Sequence, residues 1–257
     1  MAAAVCNILG IDKEDLTGKL ISVEECHGSN ANFVLVCLIS QQIQKDCGIC
    51  LVTLHNSFGH FHNVGTKLGY NLQQLEDKGS VETVEMLNLL NSSFDTSENY
   101  LFKNTEDIVK DLFIKIREKI EKLMETRKNV CLIVEDISDF LLLGIPVKDV
   151  LSFFQYCRVL LDSLEGLSVV ILTHVAEGDE EQCIVATSVS HVADTVVTIS
   201  SLKTGQSNDV SGVLKIVHRN LEKSIPNHDW NAQNLYHFKL LDRQVKVFAP
   251  GTAPSLT

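Results

Sequence analysis

Two short segments hold residues whose types and spacing could bind a nucleotide. The first, residues 25 to 32, lies between an apolar run and a helical pattern. A phosphate loop here needs glycines so that backbone amides can wrap the phosphates, a Lys for the outer phosphates and a Ser or Thr for magnesium. Ala31 and Asn32 stand in place of the Lys and the Ser or Thr, and Glu25 adds a negative charge. The sequence therefore predicts a degenerate phosphate loop without hydrolytic activity, made of Gly28, Ser29, Asn30, Ala31 and Asn32. The dipole of the following helix could still favour an anion there.

The second segment is the apolar run of residues 130 to 134, which ends in Glu135 and Asp136. In nucleotide hydrolases, acids at the end of such a strand hold magnesium and polarise water. Because the phosphate-gripping residues are missing, we interpret this pair as structural or vestigial and expect no catalytic residue, cofactor or metal. The alternative is an active nucleotidase with an atypical phosphate loop or with a site completed by a neighbouring chain.

Cys47 and Cys50 match the C-x-x-C pattern of thiol oxidoreductases. That chemistry requires the pair at a helix N-terminus, where a thiol pKa falls, but here the pair enters a predicted strand. A zinc site would add His55, His60 and His62, with a spacing that is not usual for zinc. We expect core cysteines and keep the oxidoreductase as a weaker alternative.

Ser57 lies close to these histidines and could be a nucleophile. The sequence lacks the G-x-S-x-G elbow that exposes a catalytic serine. We therefore expect Ser57 to be the N-cap of a helix that Gly69 closes.

The charge of the chain is uneven. The 257 residues hold 33 acidic and 22 basic side chains, a net charge of −11, so the surface as a whole is not a nucleic-acid-binding field. Residues 200 to 257 hold seven basic and four acidic side chains and form the net-basic region. Its basic residues Lys203, Lys215, Arg219 and Lys223 either form an ordinary solvated surface or contact RNA.

Short apolar runs alternate with longer amphipathic segments, which predicts parallel strands joined by helices. Strands are expected at residues 19 to 23, 49 to 54, 81 to 84, 130 to 134, 169 to 173 and 195 to 199. Helices are expected at residues 32 to 45, 57 to 68, 105 to 126 with Asn104 as cap, 146 to 164 and 183 to 191. A loop is expected at residues 88 to 103. Antiparallel strands should end the chain, at residues 213 to 217, 236 to 241 and 245 to 248.

Composition supports one α/β domain over residues 1 to 257, with a core of about residues 17 to 250 and short flexible ends. Hydrophobic residues make up 45% of the chain, which is enough for a large core. Eight scattered cysteines, several inside apolar runs, indicate reduced thiols. The chain start lacks a signal-peptide pattern and no apolar run is long enough to cross a bilayer. We expect a soluble protein of the cytoplasm or the nucleus.

Several segments together resemble one family, the sixth subunit of the Elongator complex, and this resemblance covers nearly the whole chain. One departure lies at Ala249, Pro250 and Gly251, where the family has Ala-Lys-Gly, so a contact made by that Lys is lost. The matching segments are residues 56 to 61, 64 to 69, 132 to 136, 141 to 144, 153 to 158 and 247 to 249.

The resemblance implies a RecA-like fold without intact hydrolysis motifs. It implies a ring of six chains, two copies each of subunits four, five and six, that binds tRNA and docks on the catalytic subcomplex. That complex installs carboxymethyl-type groups on wobble uridine. In such a ring the nucleotide-site face, residues 28 to 32 with Glu135 and Asp136, would pack against a neighbour, and shared RNA contacts would explain an acidic subunit.

Overall fold

A nine-stranded sheet runs through the part of the chain that the computed structural model describes, which is residues 2–11, 15–92, 104–203, 205, 207–219, 231–242 and 244–252. The strand order is β3-β2-β4-β5-β1-β6-β7-β8-β9. The strands are β1 Leu20–Cys26, β2 Gly48–Thr53, β3 Val81–Glu85, β4 Val130–Val134, β5 Leu167–Val175, β6 Thr195–Ser200, β7 Gly212–Arg219, β8 Asn231–Leu241 and β9 Gln244–Phe248.

The first six strands pair in parallel and the last three antiparallel. Strand β4 is buried at every position, as expected of a parallel strand with both faces covered. Since parallel strands place their carboxyl ends at one edge of the sheet, the segments after β1, β2, β4 and β5 meet there.

Helices cover both faces of the parallel part and enclose two separate apolar cores. One core packs α1 Ala2–Ile8, α2 Asn32–Gln44, α3 Phe58–Leu68 and α4 Leu72–Asp77 against the sheet. The opposite core packs α5 Met86–Ser92, α6 Thr105–Met124, α7 Asp139–Leu142, α8 Val147–Ser163 and α9 Glu180–Val192. None of the described helices is both long and apolar enough to span a membrane.

The alternating pattern of the C-terminal strands covers one face only. Leu214, Ile216 and Phe238 are buried beneath α1 and α2 with the first core. The second core reaches no further along the sheet than Val196 and Val217. The outer face of β7, β8 and β9 therefore extends beyond the helical layer that covers the parallel strands.

The structure corrects four sequence-based expectations. The expected flexible N-terminal end contains helix α1, because Val5 and Cys6 are buried against α2. The loop expected from residue 88 begins instead as helix α5, anchored by buried Met86, and residues 93 to 103 lie outside the described part. Asn104 takes the N-cap position of α6 without a side-chain capping bond. Helix α9 starts before residue 183, because Asp179 caps it by accepting the Gln182 amide.

Candidate functional site

A cleft of ≈ 270 Å³ opens at the carboxyl ends of β1, β2, β4 and β5. Open parallel sheets bind ligands at this edge. The cleft brings together parts of both segments singled out in the sequence, the degenerate loop and the acidic end of β4. Its polar lining consists mostly of acids and histidines: Glu25, Asn32, His55, Asn56, Glu135, Asp136, Ser138, Asp139, His174 and Gln182.

The degenerate phosphate loop forms a tight turn between β1 and α2. Gly28 has a φ of 80°, in the left-handed region that glycine adopts without strain. The Ser29 hydroxyl donates to the carbonyls of Cys26 at 2.5 Å and Ile199 at 3.0 Å. Ser29 therefore fixes the turn to the ends of two strands instead of facing the cleft as a free hydroxyl.

A carboxylate of the chain itself binds the loop where a phosphate would bind. The Ala31 amide, at the N-cap of α2, donates to Glu25 Oε2 at 2.6 Å. The other carboxylate oxygen, Oε1, lies 3.4 Å from His174 Nδ1 on β5. A helix N-terminus attracts anions through its free amides and its dipole. Glu25 therefore supplies that anion from within the chain and would repel an incoming polyphosphate.

Glu135 holds the segment that joins β2 to α3. Its carboxylate accepts the amides of Leu54, His55 and Asn56, at 3.1, 3.0 and 3.0 Å to Oε2. The Asn56 side-chain amide donates to Oε1 as well. With only 1% of its surface exposed, Glu135 is a buried acceptor whose oxygens are already engaged by the protein. This geometry stabilises the loop and leaves little capacity for binding a metal or water.

Asp136 differs from the other acids of the cleft in its backbone conformation and in its raised pKa. Its φ of 43° is in the left-handed region, which Asp tolerates better than most residues. It is buried, and its Oδ1 accepts the Ser138 amide at 3.1 Å. Burial, followed by repulsion from Asp139, raises the pKa of Asp136 to about 7. Asp136 therefore gains or loses a proton near neutral pH.

His55 and Asp139 form a second ion pair in the cleft, beside that of Glu25 and His174. His55 Nδ1 lies 2.9 Å from Asp139 Oδ2. Burial alone would lower the pKa of His55, but the charge and hydrogen bond of Asp139 outweigh it and raise that pKa. The pair joins the end of β2 to α7 across the rim.

The acids of the cleft are held in a network of hydrogen bonds. Among the residues that the structure describes, no cluster of three or more His, Cys, Asp or Glu side chains could hold a metal ion. The Ser57 hydroxyl accepts the His60 amide at 3.3 Å, which confirms the predicted N-cap.

The C-x-x-C pair is buried in the sheet. Cys50 is fully buried in β2, and burial, with the Glu82 charge second, raises the pKa of its thiol far above the ordinary value. The pKa of Cys47 is also raised, chiefly by burial. Because the thiolate is the reactive form, the thiol oxidoreductase alternative fails.

The four basic residues suggested as RNA contacts are not part of this cleft. Lys203 is exposed between β6 and β7, and Lys215 lies half-buried in β7. The Arg219 guanidinium donates to the carbonyls of Ser190 and His191 at the end of α9, so it caps that helix. Lys223 lies outside the described residues. The structure gives Arg219 a structural partner and leaves the RNA role of this group a proposal.

Sequence reasoning named His55 only as a possible zinc ligand and did not single out Asn56, Asp139 or His174 as side chains of the cleft. His55 and Asn56 directly follow β2, and His174 lies near the end of β5. Their position after buried parallel strands was a usable signal, because such ends meet at one edge. Asp139 had no comparable signal, because it belongs to the short helix α7, which the apolar pattern does not reveal.

Comparison with known proteins decides the family. The family model described as "Elongation complex protein 6" matches residues 3–242. The chain belongs to this family. Similar proteins named Elongator complex protein 6 include those of Xenopus laevis (28% identical, covering 97% of both chains), Mus musculus (30%, 89% of both) and Drosophila melanogaster (25%, 98% of both). The identification made from the sequence segments is therefore confirmed.

A solved structure supports the fold of this chain. A KaiC-like protein from the archaeon Pyrococcus horikoshii superposes on it with a TM-score of 0.61, covering 90% of both chains at 12% identity. At that identity the likeness concerns the fold alone. It confirms the predicted RecA-like α/β fold, with a mainly parallel sheet, helices on both faces and antiparallel strands at the end of the chain.

Proposed function

We propose that this Elongator subunit 6 is a non-catalytic subunit of a tRNA-modifying complex. It assembles with subunits four and five, two copies each, into a hexameric RecA-like ring. The ring binds tRNA, docks on the catalytic subcomplex and supports carboxymethyl-type modification of wobble uridine, in the cytoplasm and also in the nucleus. The whole chain acts as one domain in this assembly.

The observation that carries the non-catalytic role is the hydrogen bond from the Ala31 amide to the Glu25 carboxylate. The loop amide is occupied and the loop charge is negative, so the cleft disfavours nucleotide phosphates. The buried carboxylate of Glu135 is likewise engaged by the backbone of residues 54 to 56. We therefore assign the cleft to a subunit interface of the ring.

The tRNA contacts are proposed for the basic C-terminal region, at Lys203, Lys215, Arg219 and Lys223. A chain with a net charge of −11 binds RNA through a local basic surface shared with its neighbours. Because Arg219 also caps α9, its variants need a folding control.

Native mass measurement of the complex captured through this subunit tests the assembly. Two copies each of subunits four, five and six are expected. A complex that contains this subunit without subunits four and five would contradict the proposed ring.

An active nucleotidase is the second candidate, favoured by an aspartate, Asp136, with a pKa of about 7 inside the cleft. Nucleotide hydrolysis by the purified chain and by the ring, each compared with Glu135→Gln, separates the two functions. If the wild-type protein hydrolyses nucleotide and a stably folded Glu135→Gln variant does not, the chain is a nucleotidase.

Replacing Glu25 tests the self-occupied loop directly. Glu25→Ala frees the Ala31 amide and removes the repelling charge, so phosphate affinity should rise about tenfold. The matched control is Glu24→Ala, which removes one negative charge from the neighbouring residue but leaves the hydrogen bond from the Ala31 amide to Glu25 intact. Glu24 accepts the Thr198 hydroxyl instead. Calorimetric titration with inorganic phosphate measures both. Equal affinity in the two variants would show that Glu25 does not block the loop.

A further inference from the structure

The cleft at the carboxyl ends of the parallel strands holds hydrogen-bond acceptors that the protein leaves unmatched. Its lining includes four carboxylates and the side-chain carbonyl of Gln182. Glu25 and Glu135 accept backbone amides, and Asp139 contacts a histidine. Asp136 accepts the amide of residue 138 through Oδ1. Among the described residues, no donor reaches Oδ2 of Asp136 or Oε1 of Gln182.

Burial makes these two acceptors costly to leave without a donor. Asp136 exposes only 8% of its surface, and the Gln182 oxygen is enclosed at the first turn of α9. A buried acceptor without a hydrogen bond destabilises a protein, and a charged one does so more strongly. The two histidines that line the cleft already pair with Asp139 and Glu25. A ligand that fits this cleft therefore brings N–H donors and positive charge.

Apolar surface continues from the cleft onto helix α7. Leu142 lines the cleft with 74% of its surface exposed, and the next residue, Leu143, is 44% exposed. Exposed aliphatic side chains beside a polar pocket favour a protein partner over a free ion. An arginine side chain combines an apolar stem with five N–H donors, a permanent positive charge and no acceptor. Arginine therefore matches both the unpaired oxygens and the apolar rim.

We propose that the cleft receives an arginine side chain from a neighbouring subunit of the complex, whose guanidinium donates to Asp136 Oδ2 and Gln182 Oε1. Aliphatic residues next to that arginine cover Leu142 and Leu143. A lysine brings its three donors at a single point, which suits acceptors on two different elements less well. The inference rests on the proposed assignment of the cleft to a subunit interface and names the group that fills it.

Photo-crosslinking in the assembled complex identifies this group without a disruptive substitution. A photoreactive leucine analogue at Leu142 keeps the size of an exposed side chain, so the fold is preserved. The expected product joins this position to a segment of a neighbouring subunit that has an arginine within a few residues. A crosslinked segment without an arginine overturns the proposal.

Two substitutions separate the charge from the apolar contact. Asp136→Asn removes the carboxylate but keeps a residue that tolerates the positive φ, and at about pH 8 it should lower the affinity of the subunit for the complex at least about tenfold. Leu142→Ser should lower this affinity about tenfold through lost apolar burial. The matched controls, Asp162→Asn and Val159→Ser, make the same changes at exposed positions of α8 and should change the affinity less than about twofold. Release from the immobilised complex on dilution measures all four.

The pH profile of assembly distinguishes a bound cation from a packing role of Asp136. A guanidinium favours the ionised carboxylate, and burial raises the pKa of Asp136 to about 7 in the chain alone. The affinity should therefore fall about tenfold between about pH 8 and about pH 6 as Asp136 takes up a proton. Protonated histidines of the cleft would also repel the guanidinium, so the readout is the part of the fall that Asp136→Asn removes. The other titratable groups of the cleft are Glu25 on β1, His174 on β5, His55 after β2, Glu135 after β4 and Asp139 on α7.

A double substitution links the two partners. Replacing the arginine found by crosslinking with glutamine should lower the affinity as much as Asp136→Asn does. The two changes together should then cost little more than either alone, because both remove the same contact. Fully additive losses would overturn the pairing of this arginine with Asp136.

The outcomes separate the two levels of the proposal. If no chain of the captured complex crosslinks to position 142, the cleft is not a subunit interface, and the proposed assignment of the cleft fails together with this inference. If a neighbouring chain does crosslink, but Asp136→Asn changes the affinity no more than Asp162→Asn does, the interface stands and only the arginine assignment fails.

Discussion

The cleft at the carboxyl ends of the parallel strands and the outer face of β7, β8 and β9 carry opposite charges in opposite settings. In the cleft, Glu25 and Glu135 accept backbone amides and are largely buried. On the outer face, Lys239 and Lys246 stand opposite each other on half-exposed strands. The acids of the cleft are engaged by backbone amides of the chain, whereas the two lysines lie on a half-exposed face of the sheet.

This contrast separates the edge of the sheet at which parallel α/β folds bind ligands from the surface that the C-terminal strands add. The edge of the sheet that usually binds a nucleotide is filled by the chain's own acids, which stabilise the loops there. Among the described residues, the second core reaches the antiparallel strands at Val217, and Arg219 of β7 caps α9. A function is carried by the site and not by the fold.

The strongest test of the contrast is Glu135→Ala. This variant leaves the amides of residues 54 to 56 and the Asn56 side chain without their acceptor, so the free energy of unfolding should fall by about 3–5 kcal/mol. Urea unfolding followed by circular dichroism measures the change. The control Glu165→Ala removes an exposed acid and should stay within about 0.5 kcal/mol. A similar small effect of both variants would show that Glu135 is not bound into the fold.

Asp136 should make stability depend on pH. Its pKa rises from an ordinary 3.8 to about 7 on folding, so the folded state binds more protons between these values. The free energy of unfolding should therefore fall as pH rises from about 4 to about 7, by roughly 2–4 kcal/mol. Asp136→Asn keeps a residue that tolerates a positive φ, and it should abolish most of this loss and be the more stable protein at about pH 8.

His55 contributes with the same sign and must be separated from Asp136. Its pKa is raised in the folded state, so its ion pair with Asp139 stabilises below the unfolded pKa and is lost as pH rises through the folded value. The His55 side chain is 62% exposed, which keeps this contribution small. Unfolding of His55→Gln across the same pH range should retain the Asp136 effect. If His55→Gln loses the pH dependence, the dependence comes from His55 and its assignment to Asp136 is wrong.

The sequence predicts the scaffold better than the site, for a physical reason. Buried strands such as β4 and long amphipathic helices such as α6 are set by apolar periodicity, which is local in the chain. The degenerate loop and the acids after β4 were also visible locally. The contacts of Glu135 with the amides of residues 54 to 56 and of Glu25 with His174 join segments far apart in the chain, the first across about eighty residues. The register of the sheet determines such contacts, and a local pattern does not.

The smallest expected effect concerns the lysines of the outer face. Lys239→Gln with Lys246→Gln should leave the free energy of unfolding within about 1 kcal/mol of wild type if these lysines do not stabilise the fold. Relief of the cross-strand repulsion should offset the surface contacts that are lost. Urea unfolding at low and at high salt measures this, since salt screens what remains of the repulsion. A loss of about 2 kcal/mol or more would place these lysines, like Glu135, among the residues that hold the fold together. The contrast between the buried acids of the cleft and the lysines of the outer face would then fail.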